Sequence, residues 1–240
     1  MISELGGGTS FMNTVFVTGA DRGCGFCLAE NFLEAGWKTY AGQFMPEWNF
    51  LSDLKKKYTG QLTIVPLNVA DTESVRSAEK IAAETTDHID ILVNVAGITG
   101  KNDDRQTMLN VMNTNTIGPL RMVDAFLPLM QNGMKRICVF SSEAGSITMQ
   151  HRTDTFNYCM SKTALNMEMK LIFNRLNPEG FSFRIYHPGW VRSYMSGSRS
   201  TVGNFEPEEA SKAAFEQFTE IRENENVLFM TDVSGHTWPF

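Results

Sequence analysis

The chain has 240 residues, 42% of them hydrophobic, and 21 lysines and arginines against 27 aspartates and glutamates give a net charge of −6. That length and apolar content suit one large α/β domain with an ample core. The acidic balance argues against a nucleic-acid partner, since no basic run is longer than Lys55-Lys56-Lys57, and no apolar stretch approaches the ~20 residues of a membrane span.

Residues 1–11 read as a flexible N-terminal extension, with Met12 an alternative start. They lack the positive region and apolar stretch of a signal peptide, so a cytoplasmic protein is expected. Residues 12–240 then form the domain. Strands are expected near 14–18, 38–43, 62–67, 89–94, 136–141, 181–186 and 226–230. Helices are expected at 25–35, 47–58, 72–86, 104–130, 155–177 and 207–223. Asp71 suits a helix cap, and Pro207 followed by Glu208 and Glu209 suits a first turn. Regular alternation of strand and helix implies a doubly wound, Rossmann-like parallel sheet covered on both faces, in a single domain. The stretch near 190–205, rich in Ser and Gly (Ser196, Gly197, Ser198, Ser200, Gly203), is expected to be a mobile substrate loop over the site.

Two clusters carry chemistry. Thr18-Gly19-Ala20-Asp21-Arg22-Gly23-Cys24-Gly25 follows the apolar run Val15-Phe16-Val17 and precedes a helix that Gly36 stops. In that context glycines let backbone N–H groups approach a pyrophosphate at a helix N-terminus. Gly6-Gly7-Gly8 has no strand before it and reads as an ordinary turn. The second cluster is Tyr158 and Lys162, four residues apart. Leu165, Met169, Ile172 and Leu176 continue at helical spacing, so both side chains point to one side of a helix. A fixed ammonium lowers the titration of a neighbouring phenol, which makes the pair a proton donor. Cys24 and Cys27 have the spacing of a redox or metal site but lack a second pair. They read as small fillers with no metal, although a helix N-terminus lowers a thiol pKa and would make Cys24 sensitive to oxidation.

Further runs fall in order: Ile91-Leu92-Val93-Asn94-Val95-Ala96-Gly97, Asn115-Thr116-Ile117-Gly118, Val139-Phe140-Ser141-Ser142 and Tyr186-His187-Pro188-Gly189. With the glycine turn and the Tyr-Lys pair, they resemble the short-chain dehydrogenase/reductase family over roughly residues 14–193. The tail Asp232–Pro239 resembles its carbonyl-reductase-like members. Thr18, Gly19, Gly23 and Gly25 match the glycine motif, and Asn94-Val95-Ala96-Gly97 departs from a second motif at Val95. The resemblance implies catalytic roles for Asn115, Ser142, Tyr158 and Lys162. Ser141 competes with Ser142, and Asn113 with Asn115. It also places Asp21, Arg22, Cys24, Asn68, Val69, Asn94, Ala96, Gly97, Pro188, Gly189 and Val191 around the cofactor, together with the glycine-motif residues, Tyr158 and Lys162. Asn115 is expected to hold a water that relays protons from Lys162.

The implied activity is hydride transfer between a nicotinamide cofactor and a small carbonyl or alcohol, with Tyr158 as general acid/base and Ser142 bonding the carbonyl oxygen. The alternative on the same fold is a catalytically weak dinucleotide-binding sensor. No acid ends the second strand, where Ala41-Gly42-Gln43-Phe44 stands, and Arg22 precedes the second motif glycine. This favours NADP(H), with NAD(H) the alternative. Phe44, where relatives often carry a second Arg, weighs against it. His151, Arg152, Trp190, Arg192, Tyr194 and Met195 border the expected substrate pocket, and a free Arg192 would favour an anionic substrate. The family resemblance leaves a homodimer or a homotetramer open, through helices near 104–130 and 155–177.

Overall fold

A computed structural model describes residues 12–195 and 197–240. The expected extension at 1–11 and Ser196 of the 190–205 loop lie outside them. The elements run β1 (Thr14–Val17), α1 (Gly23–Glu34), β2 (Lys38–Gln43), α2 (Phe50–Lys57), β3 (Leu62–Pro66), α3 (Thr72–Ala83) and β4 (Ile91–Asn94). After them come α4 (Arg105–Asn115), α5 (Ile117–Met130), β5 (Arg136–Phe140), α6 (Phe156–Leu176), β6 (Ser182–His187), α7 (Pro207–Thr219), β7 (Met230–Asp232) and β8 (Thr237–Trp238).

The strands form one sheet in the order β3-β2-β1-β4-β5-β6-β7-β8. All neighbours are parallel except β7 and β8, which pair as an antiparallel edge. Strand residues alternate between two cores, as a pleat with period 2 requires. On β1, Phe16 packs with residues of α3, α5 and α6, whereas Val15 and Val17 pack with α1, α2 and α7. Helices therefore cover both faces, and the strand order reverses between β1 and β4. In open α/β sheets ligands bind outside the carboxyl ends of the strands at such a point.

Two expected elements come out differently. The single helix at 104–130 is broken into α4 and α5 at Asn115–Thr116. Pro119 has no N–H to donate and its ring crowds the carbonyl four residues earlier, that of Asn115. The last parallel strand begins at Met230 rather than 226, and it turns back at once into β8. Asp232 makes that turn: Oδ1 accepts from the backbone N–H of Ser234 (2.9 Å) and His236 (3.0 Å), and Oδ2 accepts from Trp238 Nε1 (2.9 Å). At the opposite end of the sheet, buried Arg136 and Arg184 bond the C-terminal carbonyls of α7, and both pair with Glu225.

Candidate active site

The glycine turn after β1 is held by its threonine. Thr18 Oγ1 accepts from the backbone N–H of Val95 (3.0 Å) and Ala96 (3.1 Å), tying the turn to the end of β4. Gly19 and Gly23 adopt left-handed backbone, φ +62° and +60°, which glycine takes without strain. A Cβ on Gly19 would stand 2.8 Å from Ala96 Cα, and one on Gly25 would stand 2.1 Å from the Gly19 carbonyl oxygen. Only glycine therefore lets α1 start this close to the strand. No acidic side chain occupies the first turn of α1, so its N-terminus favours an anion.

Lys162 and Tyr158 sit one turn apart on α6. Lys162 is 4% exposed, its Nζ donates to the Phe140 carbonyl at 2.8 Å, and it lies 5.7 Å from the centre of the Tyr158 ring. Burial lowers the ammonium to about 8. The half-buried Tyr158 does not follow the expectation set by its lysine. Burial pushes the phenol up to about 12; the neighbouring Ser142 hydroxyl acts to lower it, and the nearby Glu143 carboxylate to raise it. Ser141 turns the other way and donates to Asn166 Oδ1 at 2.6 Å, deep in the wall.

Glu143 is the group that sequence reasoning missed. Its Oε2 accepts from Ser142 Oγ at 2.6 Å and lies 3.6 Å from His187 Nδ1, while Arg152 pairs with Oε1. The signal was available, since Glu143 follows the serine pair directly; only the fold showed that its side chain returns to the site. His187 stacks edge-on against Trp238, so the β7–β8 turn walls the same end.

Both ends open into one cleft of about 1370 Å³. That exceeds the ~300–1,000 Å³ of an ordinary small-molecule pocket and gives room for a dinucleotide beside a substrate. Gly19, Asp21, Arg22, Gly23, Cys24, Gly25, Asn68, Val69, Ala96, Gly97, Ser142, Tyr158, Lys162, Pro188, Gly189 and Val191 line it. Thr18, Asn94 and Asn115 stand behind the wall. Asn115, 1% exposed, bonds Ile98 on both N–H and carbonyl and donates to Ser161 Oγ at 3.0 Å. Its competitor Asn113 binds Ala70 and Arg121 instead. Asn94 is buried with neither amide atom bonded to protein. Asn68 Oδ1 accepts from Ala70 N–H, leaving its NH2 for a ligand. The glycine cradle, the helix N-terminus and this size fit a pyrophosphate-linked dinucleotide.

Arg22 lies at the glycine-turn end of the cleft, its guanidinium 5.0 Å over the Trp48 ring and Nη1 beside Met45 Sδ. Tyr194 crosses from the 190–205 segment to meet Trp48 edge-on at 5.3 Å. That segment is also tied at its base by the Val191–Phe205 bridge. His151, Arg152, Trp190, Tyr194 and Met195 line the cleft as expected of bordering residues, but Arg192 pairs with Glu206 and is not a free cation. Cys24 is also corrected: burial pushes its thiol up to about 12, against the lowering expected at a helix start. All four cysteines are free thiols, and among the described residues no three His, Cys, Asp or Glu are placed to hold a metal. No described helix is long and apolar enough to cross a membrane.

A short chain dehydrogenase family model matches residues 13–204, and the chain belongs to that family of oxidoreductases. An uncharacterized oxidoreductase of Schizosaccharomyces pombe is 31% identical over 185 residues, 74% of this chain and 73% of that protein. The NADPH-bound carbonyl reductase from chicken fatty liver superposes with a TM-score of 0.83 at 26% identity, covering 95% of this chain and 99% of that one. Carbonyl reductase Sniffer of D. melanogaster shares the fold, with a TM-score of 0.85 at 24% identity over 95% and 100% of the two chains.

Proposed function

We propose that the chain is an NADP(H)-preferring reductase that transfers a hydride between the cofactor and a small carbonyl or alcohol, with Tyr158 as general acid/base. The observation that carries this is the meeting of Tyr158, Ser142 and Lys162 at one end of a cleft whose other end is the glycine turn with Arg22. A nicotinamide cofactor supplies the hydride when bound.

The remaining work falls to the chain. Reduction of a carbonyl leaves an alkoxide oxygen that must take a proton, and Tyr158 Oη gives it. Held up to about 12, the phenol is protonated at neutral pH, the state this step needs. Ser142 bonds the carbonyl oxygen as charge develops there. Lys162 has one of its three donors engaged by the Phe140 carbonyl. The others serve the cofactor's ribose, and the charge favours the phenolate once the proton has left. Asn115 pins the segment after Gly97 to α6, so its part is to fix the wall beside Lys162; a water held there would return protons to Tyr158. The segment near 190–205 closes over substrate. Support for NADP(H) comes from Arg22 on its Trp48 platform, from the lack of an acid on β2, and from the NADPH bound to the chicken carbonyl reductase.

The test is loss of reduced-cofactor absorbance with NADPH or NADH and a panel of aldehydes, ketones and quinones. Turnover of one class, lost in Tyr158→Phe, supports the reading. Tight cofactor binding without turnover of any class would instead favour a sensor.

A further inference from the structure

β2 ends without a carboxylate of its own: Gln43 is its last residue and Phe44 follows, where an acid would accept a bond from the adenosine ribose. The fold brings one from another element. Asp21, in the turn after β1, is 7% exposed, and its Oδ1 accepts from the backbone N–H of Phe44 at 2.8 Å and of Met45 at 3.0 Å. Those are the first two amides past the end of β2, so the carboxylate stands where the strand's own acid would.

Asp21 lines the same end of the cleft as Arg22, Met45 and Asn68. It approaches Met45 at the backbone N–H, and Arg22 approaches the same residue at its sulfur. The two amides are already satisfied by an anion, so neither is left to bond a phosphate oxygen. Burial raises the carboxyl above its usual range, while the two N–H bonds and Arg22 act to lower it. A carboxylate and a phosphate dianion held together in a partly desolvated cleft repel strongly.

We propose that Asp21 is a second determinant of nucleotide choice, opposing Arg22: its carboxylate weakens binding of a 2'-phosphate and tolerates or bonds a 2'-hydroxyl. The preference for NADPH is therefore smaller than Arg22 alone would give. This inference rests on the dinucleotide site proposed above.

The experiment is titration of NADPH and NADH against the wild type, Asp21→Asn and Asp21→Ser, followed by intrinsic fluorescence at mildly alkaline pH, where the carboxyl is ionised. Both substitutions keep an oxygen acceptor for the Phe44 and Met45 amides and remove the charge. NADPH should bind roughly three- to tenfold tighter in Asp21→Asn, with NADH equal or weaker, so the affinity ratio rises. The gap from wild type should narrow at high salt, because screening weakens a charge effect and leaves a merely structural one in place. Asp21→Ser should move the ratio in the same direction. A ratio that stays flat or falls in a wild type that binds both cofactors overturns the inference alone. Parallel losses of both cofactors in both variants also overturn it, since Asp21 would then only hold the turn. Failure of the wild type to bind either cofactor overturns the dinucleotide site and this inference with it.

Discussion

The Ser142 hydroxyl donates its single proton to the Glu143 carboxylate at 2.6 Å. A serine has one O–H, so the same proton cannot reach a substrate carbonyl at that moment. Glu143 thus sets which way the serine points, and its charge also opposes ionisation of Tyr158. Glu143→Gln removes that charge. The phenol should titrate lower, and the basic limb of the kcat/KM profile should move to lower pH. A profile identical to wild type would mean that Glu143 does not act on Tyr158.

Tyr158→Phe keeps the ring and deletes the donor. Turnover with the best substrate should fall by about 10²–10⁴, the usual span for loss of a general acid. The dissociation constant for NADPH should change little. A variant that turns over at the wild-type rate would remove Tyr158 from the reaction.

Lys162 links the site to stability. Burial sets its folded-state value at about 8, against 10.5 for the free side chain. Between those values the unfolded chain holds a proton that the folded chain has released, so stability rises with pH through that window. The full effect corresponds to about 3 kcal/mol. Lys162→Met abolishes it. Denaturant midpoints of wild type and variant should converge or cross as pH rises from neutral toward 10.5, the wild type gaining on the variant. Parallel curves would assign the titration to another group. The same variant should bind cofactor more weakly.

Arg22→Ala removes the cation stacked on Trp48. A charge-assisted bond to phosphate contributes about 1.5–3 kcal/mol, so NADPH should lose roughly tenfold to a hundredfold in affinity. NADH lacks the 2'-phosphate and should barely respond. Equal losses for both cofactors would reduce Arg22 to a shaper of the turn.

Gly25→Ala places a Cβ 2.1 Å from the Gly19 carbonyl oxygen, backbone that no side-chain rotation can clear. The start of α1 must then move off the strand. We expect a loss of about 1–3 kcal/mol or more in urea unfolding, and a larger proportional loss of dinucleotide affinity than any surface alanine produces. Wild-type values for both would show that α1 has slack at this position.

The alternating elements and the glycine turn were legible because their causes are local. Buried strands read as apolar runs, Asp71 does cap α3, accepting from Ser74 N–H at 2.8 Å, and Pro207 does open α7. The break at Asn115–Thr116 was also written locally, in Pro119, which stands in the interior of the expected 104–130 helix, where a proline breaks the hydrogen-bond ladder. The late β7 was hidden for another reason. Val227, Leu228 and Phe229 look like a strand, yet the pairing partner on β6 begins its register at Ile185↔Met230.

Sequence by itself determined the order and type of most elements, the doubly wound class and the presence of Tyr158 and Lys162 on one helical face, since each follows from residue spacing within a few turns. Tertiary structure decided what depends on groups distant in the chain. It set the phenol of Tyr158 high rather than low, because burial of the phenol outweighs the lowering by Ser142 and Arg152, and the Glu143 carboxylate adds to the rise. It engaged Arg192 with Glu206, brought Glu143, Arg152, His187 and Trp238 to one end of the cleft, and carried Asp21 across to the end of β2. Charges and hydrogen bonds act through space over a few ångströms, so their balance is fixed only when the chain has folded.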